Sequence, residues 1–403
     1  MPDYRRAESP RRRHGHTSPG IPPEATLRRF GPVGKQVGIT RLADVTGLDR
    51  VGLPVYLAIR PTARSLVTSI GKGLTPAAAK VGALLESVET WHAEHLHLPT
   101  RTARHADITA DGEGALDVAE LPRAIGGMLD PHQKRSWVRG VDLTTQAVTW
   151  VPEESVSMNF VADQLGEPGL ARNSNGLASG NSLEQAMLHA LCEVVERDAE
   201  SRWRAASESH RVRLDTVEDP LCRRLMGMVR SAGLHLAVWD VTSHTTVPCY
   251  GCVVLAPPQC DSVLDAGVHD GFSCHPSPAT AFAGAIKEAL QKRLTYIAGS
   301  RDDLSREEVE RVRSPELVEA VWDELAAEPC DMSLQDRPSL STGSWADDLR
   351  AVVRAVTSGT RHAVVAVDLT RQELGVPVAK VLVTRMEGPF GMCEPAEPGP
   401  GPL

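Results

Sequence analysis

No apolar run in this chain reaches the roughly 20 residues that a helix needs to cross a bilayer, and no apolar segment backs the N-terminal arginines as in a secretory signal. The expectation is a cytoplasmic protein with no membrane span. Positive charge is not in excess: the net charge is −9, which argues against a general nucleic-acid or membrane surface. Aromatics make up only 4% of the residues, yet 41% hydrophobic content is enough for a core. The short nucleotide motifs are missing too. Gly71-Lys72-Gly73 lacks the earlier glycine and the following Ser or Thr of a P-loop, and no G-x-G-x-x-G follows a strand-like run.

Cysteine is present, eight in all, but without a second Cys-x-x-Cys at finger spacing. Cys249-x-x-Cys252 lies in VPCYGCVVL, which reads as a strand, so a buried strand pair is preferred over zinc. In a cytoplasmic chain the thiols should be reduced.

Residues 173–203 stand out. Gly176 and Gly180, among Asn175, Ser179 and Asn181, make a loop that lets a ligand approach the main chain. A helix follows, with Ser182 as N-cap and Gln185 three residues on, the pattern of a capping box. Met187, Ala190, Leu191, Val194 and Val195 form its apolar stripe, flanked by Glu193, Glu196 and Arg197. A second helix is predicted over 76–95, with Val81, Leu84, Leu85, Val88 and Trp91 apolar and Glu86 and Glu89 at the same three-residue step. Each pair brings like charges close. Beside an apolar stripe that is costly unless a cation lies between them. Four oxygen-donating carboxylates favour magnesium, which keeps waters and bridges to phosphates. The residues alone therefore suggest a nucleotide–magnesium site without a P-loop. His92 with Glu89 also makes a Glu-x-x-His unit of the di-iron kind, but on the partner helix Glu193 has Glu196 three residues on instead, and the many strands oppose a four-helix bundle.

These blocks carry a resemblance. SNGLASGNSLEQAMLHALCEVVERDA, SIGKGLTPAAAKVGALLESVE and residues 281–303 resemble, in order, the signature segments of the YcaO family. Residues 38–61 and 367–383 fit its first and last strands. The resemblance covers roughly residues 30 to 385. It implies one large α+β domain at residues 26–390 with mixed sheets and helices around a nucleotide, after a tail at 1–25 and before a Pro-rich tail at 391–403. No internal repeat is evident in the sequence.

The resemblance also implies a reaction: ATP- and Mg2+-dependent O-phosphorylation of a peptide backbone amide in the maturation of a ribosomally made peptide. Glu86, Glu89, Glu193 and Glu196 would hold magnesium. Asn181, Gln185, Arg197 and Glu288 would meet the nucleotide. Two positions depart from the family: Gln185 stands where Glu is usual, and Gly284 where Arg is usual. Lys287, Lys292 or Arg301 could supply the missing cation. The stretch 203–254 is similar to members that work with a TfuA partner in thioamide formation. The ending Pro398-Gly-Pro400-Gly-Pro402 is similar to the tail of azoline-forming cyclodehydratases, and an accidental match stays open. A precursor peptide and a separate TfuA-like or leader-binding partner are expected, with a homodimer compatible. The other readings are a non-catalytic peptide-binding scaffold and a ligase acting through an acyl phosphate.

Overall fold

Glycine and proline decide where strands meet helices here. The computed structural model describes residues 20–388, apart from 131, 162–168, 206–209, 259–266 and 302. Helix α1 (Pro23–Gln36) precedes β1 (Arg41–Asp44), β2 (Val55–Ile59) and β3 (Thr68–Lys72), an antiparallel sheet in that order. Helix α2 (Pro76–Glu94) begins at Thr75, whose side chain accepts from the Ala78 N–H, with Pro76 at the first helical position. Next come β4 (Thr100–Ala103), α3 (His105–Ala110), β5 (Gly114–Ala115), β6 (Arg135–Asp142), β7 (Val148–Pro152) and β8 (Leu177–Ser179). Helix α4 (Leu183–Ala205) follows. The middle of the chain holds β9 (His210–Val212), α5 (Pro220–Ser231), β10 (His235–Asp240), β11 (Cys249–Leu255), β12 (Val268–Cys274) and α6 (Pro278–Ala298). The remainder is α7 (Arg306–Val312), α8 (Pro315–Ala327), β13 (Cys330–Met332), α9 (Trp345–Thr357), β14 (Val364–Asp368) and β15 (Val378–Val383).

A five-stranded sheet runs β12-β11-β10-β9-β13, and a seven-stranded one runs β5-β7-β6-β14-β15-β8 with β4 on β6. The period of two along β15 explains the layering. Val378 and Leu382 join Leu84 and Val88 of α2 in one core, while Val381 and Val383 join Leu191 and Val195 of α4 in another. Helix α4 also packs on β12, so it is buried between the two larger sheets. A third core lies between the five-stranded sheet, α5 and α6. The mixed α+β architecture agrees with expectation. Short β13 pairs parallel with β9.

Close approach requires glycine at Gly71. A methyl there would lie 2.0 Å from the Ala83 nitrogen and 2.1 Å from the Ala79 oxygen, both backbone atoms of α2. Gly271 of β12 meets α6 the same way, 2.3 Å from the Ala289 nitrogen. Backbone cannot yield as a side chain can. Gly71→Ala should therefore cost about 2 kcal/mol or more, read as a lower urea midpoint, and an unchanged midpoint would mean that α2 is not locked onto β3.

The tempting cysteine and histidine groups resolve as structure. Cys249 faces the core shared with α4 and Cys252 the core shared with α6, so the pair cannot grip one metal. His92 is buried with its Nδ1 2.7 Å from the Val88 oxygen, and Glu94 is taken by Arg60 and Ser65. Cys260, Cys393 and the Pro-rich C-terminus lie outside the described residues, as does most of the N-terminal tail.

Candidate functional site

Three strand–helix units carry the site: β3 into α2, β8 into α4 and β12 into α6. Their helices share a pattern that the sequence hides among unlike neighbours. A Ser or Thr precedes each helix (Thr75, Ser182, Ser277). Alanine follows four and eight residues later (Ala79 and Ala83, Ala186 and Ala190, Ala281 and Ala285), and glutamate eleven residues later (Glu86, Glu193, Glu288). The alanines let a strand come close, and the glutamate three turns in reaches past the end of the contact. This is the internal repeat that a reading by identity does not find. Its caps differ: Ser277 makes no side-chain cap, and its own N–H donates to His275 Nδ1 at 2.9 Å.

The structure gives each of the four α2 and α4 glutamates a backbone N–H for one oxygen. Glu86 accepts from Ile70 at 3.1 Å and Glu89 from Ser179 at 2.8 Å, with the Ser179 hydroxyl at 2.6 Å. Glu193 accepts from Gly176 at 3.2 Å and Glu196 from Cys274 at 3.1 Å. Among the described residues, the second oxygens of Glu86, Glu89 and Glu193 accept no hydrogen bond. Arg197 stands 3.2 Å from Glu196, 3.0 Å from Glu200 and 3.5 Å from Glu288. Lys72, dismissed as a P-loop lysine, reaches Glu288 at 3.3 Å.

Burial pushes Glu86 up to about 7 and Glu89 up to about 8, with neighbouring carboxylates adding to it. Burial likewise holds Glu193 above the carboxylate range and Glu196 well above it, against the pull of Arg197. Burial opposes the charge on Glu288 as well, but Lys72 and Arg197 outweigh it and its pKa falls. A nearby cation would relieve the first four together. Among the described residues no three metal-ligating side chains already converge closely enough to hold an ion alone. Magnesium usually takes one or two carboxylates and completes its shell with phosphate and water.

The shifts set a sign. In the folded state Glu86 and Glu89 keep protons that the unfolded chain releases above about pH 4.5. Without magnesium, their contribution to stability is therefore lost as pH rises from there through 7 and 8. Melting in EDTA should fall by roughly 3 °C or more between about pH 5.5 and 8.5, and magnesium with ATP should flatten the slope. A flat profile in EDTA would contradict the raised values.

The remaining sequence candidates divide. Asn181 borders the cluster, but its side-chain oxygen accepts from Thr26 of α1 at 3.2 Å. Gln185 sits at the start of α4, where its N–H donates to Ser182 Oγ at 3.3 Å and its Oε1 accepts from the Asn181 N–H at 2.9 Å. Its carbonyl oxygen is thus used in capping. Gly284 is packed against β12: a methyl there would lie 2.1 Å from Ser273 Oγ, which leaves no room for a guanidinium stem. Of the three substitute cations, Lys292 is paired with Asp270 and Arg301 with Asp303. Lys287 has no ion-pair partner among the described residues, and burial, with Lys72 nearby, lowers it to about 8.

Sequence reasoning missed Lys380. It lies in β15 at 2% exposure, its Nζ 2.7 Å from the Asn173 oxygen and within the field of Glu193. The signal was a lysine inside the otherwise apolar run VAKVLV.

Comparison with known proteins is consistent across sequence and structure. The family model of the YcaO cyclodehydratases, described as ATP- and Mg2+-binding, matches residues 70–387. An uncharacterized protein in the tfuA 3′ region of Rhizobium leguminosarum bv. trifolii is 31% identical over 383 residues, 91% of this chain and 88% of its own. The fold is similar to that of YcaO from Methanopyrus kandleri bound with AMPPCP and Mg2+, with TM-score 0.70, 24% identity, and 94% and 96% of the two chains covered. It is also similar to a heterocyclase in complex with substrate and cofactor, with TM-score 0.76, 23% identity and 91% of this chain. This chain spans about half of that one, 52%.

Proposed function

Because this chain belongs to the YcaO family, we propose that it uses ATP and magnesium to activate a backbone amide of a ribosomally made peptide. ATP and Mg2+ are the cofactors of the family to which it belongs. The observation that carries the reading is the cluster of four glutamates, Glu196 buried and the others half-buried, each held at one oxygen by a backbone N–H and each with its pKa raised by burial. Glu86, Glu89, Glu193 and Glu196 would hold magnesium, whose charge offsets that of the triphosphate.

Amide oxygen is a poor leaving group. In the proposed reaction the amide oxygen takes the terminal phosphoryl group and ADP departs. A nucleophile adds at the carbon, and phosphate leaves with the original oxygen. The protein positions and shields, so a site rich in cation ligands and poor in nucleophiles suits it. Lys72 and Arg197 orient Glu288. Lys287 supplies the cation that Gly284 does not: Lys287→Met should weaken ATP binding about tenfold by calorimetry, and unchanged affinity would remove it from the nucleotide site.

The thioamide route with a TfuA-like partner is favoured over azoline formation by the relative from the tfuA region. The scaffold reading draws support from Gln185 and Gly284. The deciding experiment supplies a precursor peptide labelled with 18O at the backbone amide, together with ATP, magnesium and the partner. Labelled phosphate supports amide activation. ATP turnover with unlabelled phosphate only, or no turnover, sinks it.

A further inference from the structure

A buried lysine needs a reason. Moving an ammonium out of water is costly, and a fold gains by replacing it with an apolar residue unless the charge is used. Lys380 donates to the Asn173 oxygen, its one hydrogen bond among the described residues, which leaves two of its three N–H donors. It lines a cleft together with Leu121, Ser155, Asn173, Asn175 and Met386. In the same cleft the side-chain oxygen of Asn175 is buried and has no hydrogen-bond partner. A polar atom so placed costs about 1–3 kcal/mol unless something fills the site.

We propose that this cleft binds a secondary amide of the substrate chain, with Lys380 donating to the carbonyl oxygen and Asn175 accepting from the N–H. The proposal rests on the amide-activation reading above and names where the peptide sits. Donor and acceptor together match a peptide group. A carboxylate or phosphate would satisfy Lys380 and face the Asn175 oxygen with another acceptor. The placement also joins the cleft to the carboxylates. Within one short loop the Asn173 oxygen holds Lys380, Asn175 carries its buried, unpartnered oxygen and the Gly176 N–H holds Glu193. An amide in the cleft is therefore next to Glu193 of α4 through a single turn of backbone.

The test uses the full chain and a small probe, N-trifluoroacetylglycine N-methylamide, followed by 19F NMR, with trifluoroacetate, which carries a carboxylate and no amide, as the counterpart. The wild type should bind the amide, and Lys380→Met and Asn175→Ala should each weaken it about tenfold or more. The carboxylate probe should bind more weakly than the amide. Asn175→Ala removes an atom with no partner, so its melting temperature should hold even if Lys380→Met unfolds. No amide binding to the wild type would leave the cleft to water and overturn the proposal. So would equal binding by the folded Asn175→Ala variant or preference for the carboxylate. Nucleotide is absent throughout, so failure here and failure of the ATP reading are separate results.

Discussion

Replacing Glu193 by alanine is expected to abolish magnesium-dependent ATP binding, a loss of roughly a hundredfold or more by titration calorimetry. The residue stands one turn before Glu196 on α4, with one oxygen fixed by the Gly176 N–H and the other accepting no hydrogen bond from the described residues. Burial holds its pKa up, and Glu288 adds to the strain. Without a cation the charge is unwelcome; on the proposed reading, Glu193 would be an attachment point for magnesium. The same variant should therefore melt no lower than the wild type in EDTA at about pH 8, since it removes a like charge. Loss of binding with retained folding locates the effect at the site. Equal affinity in the two proteins would exclude Glu193 from it, and binding that never depended on magnesium would exclude the metal from the description.

Arg197→Met should have the opposite character, a large loss of stability. The guanidinium stands between Glu196, Glu200 and Glu288. Glu200 keeps Arg204 and Glu288 keeps Lys72, but Glu196 has no other cation at bonding distance among the described residues. Breaking a buried pair by removing one partner costs about 3–5 kcal/mol, because the other charge is stranded. Urea unfolding should show a loss of that order where Glu196 is ionised, shrinking as pH falls and Glu196 takes up a proton. A change below about 1 kcal/mol would mean that the arginine serves ligands more than the fold.

The parts of this molecule that follow from local pattern were legible in the sequence. The Thr75 and Ser182 starts, Pro76, and the stop of α6 at Gly299 (φ 57°) come from neighbouring residues. So does the apolar stripe of α4, buried as expected except for the half-buried Met187. The two Glu-x-x-Glu pairs were visible because their spacing is helical. What stayed hidden depends on contacts distant in sequence. Glu288 acquires its partners only when β3 and α4 are in place. Gln185 could have pointed outward as a ligand, and only the position of the Asn181 N–H turns it to capping. Lys380 was passed over because an apolar run dominates the reading of a strand. A charge in such a run is better treated as a question about what it meets.

The amides that hold the glutamates come from three different sheets: Ile70 in the first, Ser179 in the seven-stranded one and Cys274 in the five-stranded one. No pair of sheets can assemble the set. During refolding, competence to take up metal and nucleotide can therefore appear only after all three have docked. Each pairing closes a long loop, which makes that docking slow compared with forming the helices. Recovery of ligand binding would then lag behind the return of far-ultraviolet ellipticity, and the active centre would keep time for the last step of folding.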